Sequence, residues 1–322
     1  MSGYQDIRTS GKELFVFSDN LTSDILHADC LVSWSTAIAY KEEQMDRKKI
    51  TPVDVQTMKK EGKRISMLTA YDYPTALLED RAGIEIILVG DSVGMTVLGY
   101  ENTLPVTMEE MIHHTKAVTR GAKYALIIGD MPFMSYNTSE NDAIFNAGRF
   151  MKEGRADAVK LEGGATVKEI VRAIVRAGIP VMGHIGLTPQ TISMLGGFKV
   201  QGKDAQAAQK IIDDALSLED AGAFSVLLEA IPAPIAKRIT ERLTVPTIGI
   251  GAGVHCDGQV LVVHDMLGLF DRFTPKFAKR YVNLSELILN AFESYREEVS
   301  KGTFPTDQHS FHIDEKELGK VK

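Results

Sequence analysis

The sequence predicts an α/β fold, a closed (β/α)8 TIM barrel preceded by an N-terminal extension. Short apolar runs alternate with stretches that carry helical spacing, and eight such units follow one another over about 220 residues. Continuous apolar runs of this length are typical of strands buried on both faces of a parallel sheet. The open, doubly wound sheet is the alternative fold. It would normally carry a Gly-rich turn after its first strand, and residues 69–72 (TAYD) contain no glycine there.

The strands are expected within eight runs along the chain. These runs are Ile65–Asp72, Ile84–Ser92, Tyr124–Pro132, Ala158–Gly164, Pro180–Gly186, Phe224–Ala230, Pro246–Gly253 and Val260–Asp265. The connection between the last two runs, residues 254–259, is too short for a full helix. The barrel is therefore expected to be irregular there, or the boundaries of these two strands to be shifted.

Apolar stripes at helical spacing predict helices between the strands. The stripes are Met108, Met111, Ile112 and Thr115; Ile170, Ile174 and Val175; and Ile211, Ile212, Ala215 and Leu218. Several helices are expected to end at the glycine of an Ala-Gly pair, at Gly83, Gly178 and Gly222, because glycine readily takes the left-handed conformation that ends a helix.

The chain divides into an N-terminal extension of unknown role (residues 1–49), a catalytic barrel (residues 50–300) and a C-terminal tail (residues 301–322). The extension holds a short apolar piece, Leu31–Tyr40, with the only tryptophan, Trp34. Two cysteines, Cys30 and Cys256, fit no metal-ligand spacing and indicate a reducing compartment.

Composition excludes several classes of partner. The formal net charge of −7 argues against nucleic acid as the main partner. No stretch approaches the roughly 20 apolar residues of a membrane helix, and the first residues lack the features of a secretory signal. The expected location is the cytoplasm, without a membrane partner.

Polar residues cluster where the predicted strands end, and in a barrel these ends meet at one face. They are Asp72, Asp91, Ser92, Asp130, Lys160, Glu162, His184, Glu229 and Asp265. A single strand-end carboxylate often caps the next helix, and for Asp72 and Asp265 this alternative has about even weight. Asp91, Asp130 and Glu162 end consecutive strands and would repel one another. Their clustering predicts a hard cation such as Mg2+.

Three further residues at these strand ends have candidate roles. Lys160 lies two residues before Glu162, so both side chains point toward the barrel interior. Glu229 ends an apolar run and is a candidate base, the alternative being a charge at the entry to a helix. His184 is an acid, a base, a hydrogen-bond donor or, with equal weight, a structural histidine.

The motifs around these residues resemble those of the ketopantoate hydroxymethyltransferase (3-methyl-2-oxobutanoate hydroxymethyltransferase) family. The matching segments are Leu68–Asp72, Leu88–Met95, Leu104–Thr107, Gly129–Met134, Val159–Gly164, Gly183–Gln190, Gly196–Gly202, Gly249–Gly253, Asp257–Gln259, His264–Asp265 and Gln308–His312. They occur in order from about residue 51 to residue 312, which makes the resemblance highly specific.

The resemblance implies a transferase of pantothenate and coenzyme A biosynthesis. Such an enzyme moves a hydroxymethyl group from 5,10-methylenetetrahydrofolate, its co-substrate, to 3-methyl-2-oxobutanoate (2-oxoisovalerate), giving 2-dehydropantoate (ketopantoate) through a Mg2+-stabilised enolate. Glu229 is similar to the family's general base, and His184 to a histidine beside the pocket. The family is a homo-oligomer, usually a decamer, and its partners are the small 2-oxo acid and the folate.

The resemblance also implies a set of metal and substrate contacts. Asp91 and Asp130 resemble the carboxylates around the Mg2+ ion and also line the substrate site, while Glu162 completes the metal site, partly through water. Ser92 and Lys160 resemble the residues that hold the 2-oxo acid.

Two other functions fit the residues less well. A barrel enzyme with the same metal-enolate chemistry, such as a phosphonopyruvate or 2-oxo acid lyase, would act without folate. A catalytically idle barrel that binds an anionic metabolite would not need the full set of charged strand-end residues.

Overall fold

The computed structural model describes residues 47–191, 200–270 and 275–321. In these ranges eight parallel strands close into a barrel, each strand pairing with the next in sequence and the last pairing with the first. The predicted (β/α)8 fold is confirmed. The predicted extension up to residue 46, with Cys30, Trp34 and Leu31–Tyr40, lies outside the described residues. Residues 196–199, which begin the matching segment Gly196–Gly202, also lie outside the described residues.

The described elements alternate as the sequence pattern predicts. The strands are β1 (Ile65–Thr69), β2 (Ile86–Val89), β3 (Leu126–Asp130), β4 (Ala158–Glu162), β5 (Val181–Gly186), β6 (Ser225–Glu229), β7 (Thr247–Ile250) and β8 (Gly258–Leu261). The α-helices are α1 (Pro52–Lys60), α2 (Tyr73–Ala82), α3 (Val93–Thr96), α4 (Met108–Gly121), α5 (Glu140–Arg149), α6 (Lys168–Arg176), α7 (Ala205–Asp220), α8 (Ala233–Arg242), α9 (Val263–Leu267), α10 (Leu284–Lys301) and α11 (Glu315–Leu318). A π-helix spans Phe150–Gly154, and 3-10 turns span Ala165–Val167, Pro189–Thr191 and Asp307–His309.

The last strand differs from its predicted bounds. β8 begins at Gly258, two residues before the predicted start, and the chain turns into α9 at Val263, whose N–H donates to Thr69 Oγ1 over 3.0 Å. A Cβ at position 258 would lie 2.6 Å from Ile65 O, so this tight pairing requires glycine. Because glycine is not an apolar β-branched residue, the apolar pattern did not mark the start of this strand. Asp265 was predicted at the end of a strand, but it lies on α9. That prediction was wrong. The expected irregularity is confirmed, since the described loop between β7 and β8 contains no helix.

Strand residues alternate between two hydrophobic layers. Ile86, Leu88, Leu126, Ile128, Met182 and Ile248 belong to the cluster inside the barrel, and Ile87, Val89, Ile127, Val159, Val181 and Val226 to the cluster under the helices. Burying an aliphatic side chain of this size contributes about 1.5–3 kcal/mol. Strands that are apolar on both faces are thus fully buried, and the polar residues at their ends are left to face the barrel mouth.

Caps fix where the helices begin and end. Asp72 precedes α2 and accepts a hydrogen bond from the N–H of Thr75 over 2.8 Å, so the capping alternative for this carboxylate is the observed one. Gly83, Gly178 and Gly222 all have positive φ, at 85°, 87° and 97°, as expected for glycines that end helices.

The C-terminal part differs from the barrel helices. α10 has 18 residues, and none of them is buried. Across the described residues, no helix is long and apolar enough to span a bilayer.

Candidate active site

Strand register brings the predicted site residues side by side. Asp130 pairs with Lys160 between β3 and β4, and Glu162 pairs with His184 between β4 and β5. Glu229 pairs with the last residue of β5. Side chains at paired positions of parallel strands point to the same side, so this register gathers the polar groups at one end of the barrel.

A cavity of about 390 Å³ opens at this end. Its lining contains every residue predicted for catalysis, substrate or metal: Asp91, Ser92, Asp130, Lys160, Glu162, His184 and Glu229. Asp265 lines it as well, from α9, and burial raises the pKa of this carboxyl to about 6. The sequence therefore predicted which residues meet, although their roles stay predictions.

Asp91 and Asp130 form a buried pair of carboxylates. The backbone N–H of Asp91 donates to Asp130 Oδ2 over 3.0 Å, and the two residues are 5% and 1% exposed. Burial raises the pKa of both carboxyls, and for Asp91 the negative charges of Asp130 and Glu162 add to this rise. A positive charge between them would offset this repulsion.

Lys160 supplies one positive charge to this acidic cluster. Its Nζ lies 2.7 Å from Asp130 Oδ1, 3.9 Å from Glu162 Oε1 and 3.3 Å from His184 Nδ1. Burial opposes the charge of this ammonium, but the surrounding carboxylates outweigh burial and raise the pKa of Lys160 above its usual range. The side chain is therefore a fixed cation beside Asp130.

His184 links the acidic cluster to Glu229. Its Nδ1 lies 3.4 Å from Glu162 Oε1, and its Nε2 lies 3.2 Å from Glu229 Oε2. Burial and the charge of Lys160 oppose protonation, but contacts with the two glutamates outweigh them and raise the pKa of His184 to about 9. The imidazole is thus a cation at neutral pH, and the same contact helps to lower the pKa of Glu162.

Glu229 stands apart from the other carboxylates, on an apolar wall. It ends β6, its side chain is 16% exposed, and Leu227, Ala230 and Ile250 line the cavity beside it. The next residue, Ala230, has a φ of 49°, a left-handed conformation that costs a residue with a Cβ about 1–2 kcal/mol. Strain of this kind is found at functional sites, where it fixes the direction of a side chain.

Two residues of this site were not predicted from the sequence. Gln190 donates from Nε2 to Asp91 Oδ2 over 2.9 Å and from its backbone N–H to Glu162 Oε2 over 3.0 Å. Tyr136 donates its hydroxyl proton to Gln190 Oε1 over 2.7 Å. Gln190 lies in a 3-10 turn and Tyr136 in a loop, so no strand period indicated that they contact the site carboxylates, and their residue types gave no signal.

Ser92 and the apolar mouth complete the cavity. The Oγ of Ser92 lies 2.8 Å from the hydroxyl of Tyr71, which is buried. The rest of the lining is largely apolar, with the buried Leu187 and the more exposed Pro189, Val200, Phe270 and Phe277, and it also includes the exposed Lys276. The cavity thus has a charged floor and an apolar entrance.

Comparison with known proteins assigns the chain to a family. The sequence profile described as ketopantoate hydroxymethyltransferase matches residues 49–307. A 3-methyl-2-oxobutanoate hydroxymethyltransferase from Carboxydothermus hydrogenoformans is 59% identical over 267 residues, which are 83% of this chain and 96% of the relative. One from Moorella thermoacetica is 62% identical over 265 residues, 82% of this chain and 98% of the relative.

The chain belongs to the ketopantoate hydroxymethyltransferase family. The resemblance drawn from its motifs is confirmed, and so is the prediction of an enzyme of the transferase class.

Solved structures that resemble this family member share its fold. A phosphonopyruvate hydrolase matches with a TM-score of 0.54 and 10% identity, covering 84% of this chain and 94% of its own. A 2,3-dimethylmalate lyase of the PEP mutase/isocitrate lyase superfamily matches with a TM-score of 0.52 and 14% identity, covering 81% of this chain and 91% of its own. At such low identity, the likeness supports the barrel fold alone.

The resemblance to this family implies a Mg2+ ion, and the carboxylates can be tested against it. Among the described residues, no three His, Cys, Asp or Glu side chains are grouped as metal ligands would be. Mg2+ nevertheless needs only one or two carboxylates, since water and substrate oxygens complete its shell. Asp130 Oδ1 is buried and receives no aligned hydrogen bond from the described residues, although Lys160 Nζ is close. The pair Asp91 and Asp130 therefore fits a hard cation.

Glu162 fits direct metal ligation less well. Its Oε1 faces Lys160 and His184, and its Oε2 accepts the backbone N–H of Gln190. A contact through water, as the resemblance implies, leaves these bonds intact. Direct or indirect, the metal role of Glu162 stays a prediction.

Proposed function

We propose that this protein transfers a hydroxymethyl group from 5,10-methylenetetrahydrofolate to 3-methyl-2-oxobutanoate, forming 2-dehydropantoate for pantothenate synthesis. Relatives about 60% identical carry the name of this activity. The observation that supports it in this chain is one cavity that holds two paired carboxylates, a buried lysine and a separate glutamate on an apolar wall. These groups match the needs of a reaction in which a carbon next to a carbonyl loses a proton.

The floor of the cavity holds the 2-oxo acid in this proposal. Lys160 is the fixed cation beside Asp130, and it attracts the substrate carboxylate or keto oxygen. Ser92, whose hydroxyl is held by Tyr71, donates or accepts a further hydrogen bond. When bound by Asp91 and Asp130, Mg2+ would supply Lewis-acid stabilisation of the charge that develops on the keto oxygen.

Glu229 takes the proton from C3 of the substrate. His184 lies between Glu229 and Glu162 and so separates the base from the acidic groups, while apolar residues line the cavity beside Glu229. His184, whose Nε2 lies 3.2 Å from Glu229 Oε2, orients this carboxylate. C3 then forms a bond to the methylene carbon of the folate, and both carbon–nitrogen bonds of that methylene break. Water supplies the hydroxyl oxygen of the product. Tetrahydrofolate leaves, its two nitrogens carrying the proton taken from C3 and one proton of the water, and no covalent bond to the enzyme is needed.

The apolar mouth is the proposed site of the folate. Leu187, Pro189, Val200, Phe270 and Phe277 line the entrance above the charged floor. A planar heteroaromatic ring packs well against such a wall, since ligand sites combine an apolar lining with a few polar groups. This position would bring the methylene donor toward the substrate from the solvent side.

One assay tests the proposed reaction. Purified protein is given 3-methyl-2-oxobutanoate, Mg2+ and methylenetetrahydrofolate, and 2-dehydropantoate is measured by mass spectrometry. We expect product only when all three are present. Turnover of a 2-oxo acid without folate would replace this proposal with a lyase, and binding without any turnover would replace it with an idle barrel.

The metal site has a test of its own. Asp91→Asn and Asp130→Asn each remove one negative charge from the pair, so both variants are expected to bind Mn2+, used as a probe for Mg2+, at least tenfold more weakly. Binding is measured by titration calorimetry without substrate. Wild-type affinity in both variants would remove the metal from this pair.

We also propose that the protein is a homo-oligomer, with a decamer as the expected size. The described helix α10 supports this, because Ile288, Phe292, Tyr295 and Val299 repeat at helical spacing and are all exposed. A second copy of the chain would cover this stripe. The cytoplasmic location stays a prediction from the sequence.

A further inference from the structure

Gln190 lies at the centre of a hydrogen-bonded cluster under the acidic floor. It occupies the 3-10 turn after β5 and is 3% exposed. Its Nε2 donates to Asp91 Oδ2 over 2.9 Å and to Met131 O over 3.0 Å, while its backbone N–H donates to Glu162 Oε2 over 3.0 Å. One residue thus contacts two of the three clustered carboxylates.

The direction of the Gln190 amide follows from its neighbours. The carbonyl of Met131 can only accept a hydrogen bond, so the amide nitrogen must face it, and the same nitrogen lies 2.9 Å from Asp91 Oδ2. The amide oxygen then faces the hydroxyl of Tyr136 at 2.7 Å, which must donate. The same hydroxyl accepts the backbone N–H of Glu162 over 3.2 Å, which fixes the position of Tyr136.

This arrangement leaves one oxygen of Asp91 for the cavity. Oδ2 is held by Gln190, whereas Oδ1 makes no hydrogen bond with the described residues, and Asp91 lines the cavity. Without the amide donor, the carboxylate would be free to rotate about its last torsion, because such torsions are broad.

We propose that Gln190, held by Tyr136, is a positioning residue that turns Asp91 Oδ1 toward the cavity and thereby sets the affinity of the site for its divalent cation. The inference rests on the proposed metal site at Asp91 and Asp130. Partners that orient a metal-binding carboxylate typically change metal affinity about 10–100-fold when they are replaced.

The first experiment replaces the amide by an acceptor of the same shape. In Gln190→Glu, a carboxyl group lies where Nε2 donated to Asp91 and Met131, so Asp91 must turn away. We expect Mn2+ to bind about 10–100-fold more weakly in calorimetry without substrate. The matched control is Gln209→Glu, since Gln209 Nε2 also donates to an aspartate, Asp213 Oδ1, over 2.8 Å, but on the exposed face of α7. This control should bind Mn2+ like the wild type.

The second experiment separates positioning from mere packing. Tyr136→Phe removes the hydroxyl donor to Gln190 but keeps the ring, and it should weaken Mn2+ binding in the same direction. If Tyr136 acts through Gln190, the double variant binds no more weakly than Gln190→Glu alone. If the fold-losses of Mn2+ affinity in the two single variants multiply in the double variant, the two residues act independently. This result would overturn the proposal that Tyr136 acts through Gln190. Tyr136→Phe also keeps the test open if Gln190→Glu does not fold.

Failure of this inference can be told from failure of the metal site. If Asp91→Asn and Asp130→Asn both bind Mn2+ as well as the wild type, the proposed metal site itself is wrong. If Asp91→Asn weakens binding but Gln190→Glu and Tyr136→Phe do not, only the positioning role is wrong. A lower melting temperature in these variants with unchanged Mn2+ affinity would make the cluster purely structural.

Discussion

Glu229 is placed by its neighbours in a way that suits a base. Its backbone oxygen accepts the N–H of Leu187 over 2.9 Å, and a Cβ on Gly186 would lie 2.2 Å from that oxygen, so the close approach requires glycine. The side chain is directed into the cavity, where His184 contacts it. The local backbone and a cationic partner together fix the carboxylate against the apolar wall.

The role of Glu229 can be measured apart from the rest of the reaction. Glu229→Gln keeps the shape of the side chain but cannot take a proton. Exchange of the substrate's C3 proton with deuterated solvent, followed by NMR, should slow by about 100-fold or more, the usual contribution of a positioned base. Mn2+ affinity should be unchanged, because Glu229 does not contact the carboxylate pair. Exchange at the wild-type rate would rule out Glu229 as the base.

The sequence indicated the strand-borne part of the site better than the loop-borne part. Five site residues could be located because each lies at the end of an apolar strand or two residues before it, and the fold places all such ends at one face. They are Asp130, Lys160, Glu162, His184 and Glu229. Gln190, in a 3-10 turn, and Tyr136, in a loop, join the hydrogen-bonded cluster behind the cavity. Loop conformation depends on tertiary contacts that no local period encodes, so these residues needed the structure.

At the scale of elements, α2 carries an unusual buried acid. Glu79 is 6% exposed, and both of its carboxyl oxygens lack hydrogen-bond partners among the described residues. Burial, and then the negative charge of Asp72, raise the pKa of Glu79 from 4.5 to about 9. The group is therefore protonated in the folded protein at neutral pH and ionised in the unfolded chain.

This difference makes stability depend on pH in a predictable direction. Between pH 4.5 and about 9 the folded state keeps a proton that the unfolded state releases. The free energy of unfolding therefore falls as pH rises through this window, by an amount on the order of a few kcal/mol. In Glu79→Gln, which cannot ionise, the melting temperature should fall less between pH 6 and pH 9.

Calorimetric scans at several pH values check this prediction. The control is Glu101→Gln, in an exposed loop, which should follow the wild-type curve. Equal pH slopes for wild type and Glu79→Gln would contradict the buried acid as the source of the effect.

Element boundaries show where sequence patterns stop being informative. Seven strands lie within their predicted runs because valine and isoleucine mark strands that are apolar on both faces. β8 was displaced because it begins at Gly258 and Gln259, whose pairing with β1 depends on close backbone approach and not on apolar side chains. Because β8 ends at Leu261, Asp265 lies on α9 and not at the predicted strand end.

At the scale of the whole molecule, α10 differs from the helices that cover the barrel. Its stripe of Ile288, Phe292, Tyr295 and Val299 has the spacing of a buried face, yet these side chains are 37–66% exposed. Covering such a stripe in a second copy of the chain would remove apolar surface from water at about 25 cal/mol per Å². The free energy gained by burying this apolar surface favours association over a monomer.

Replacing one residue of this stripe tests the proposed association. Phe292→Asp puts a charge in the centre of the stripe, so the mass measured by light scattering after size exclusion should shift from an oligomer toward smaller species. The matched control is Phe145→Asp on α5, because Phe145 and Phe292 are similarly exposed, at 69% and 66%. We expect this control to keep the wild-type mass, since Phe145 does not belong to the α10 stripe. A monomeric wild type would contradict the oligomer, and equal dissociation of both variants would contradict α10 as its specific contact. Unchanged mass in Phe292→Asp would show that the copies associate through another surface.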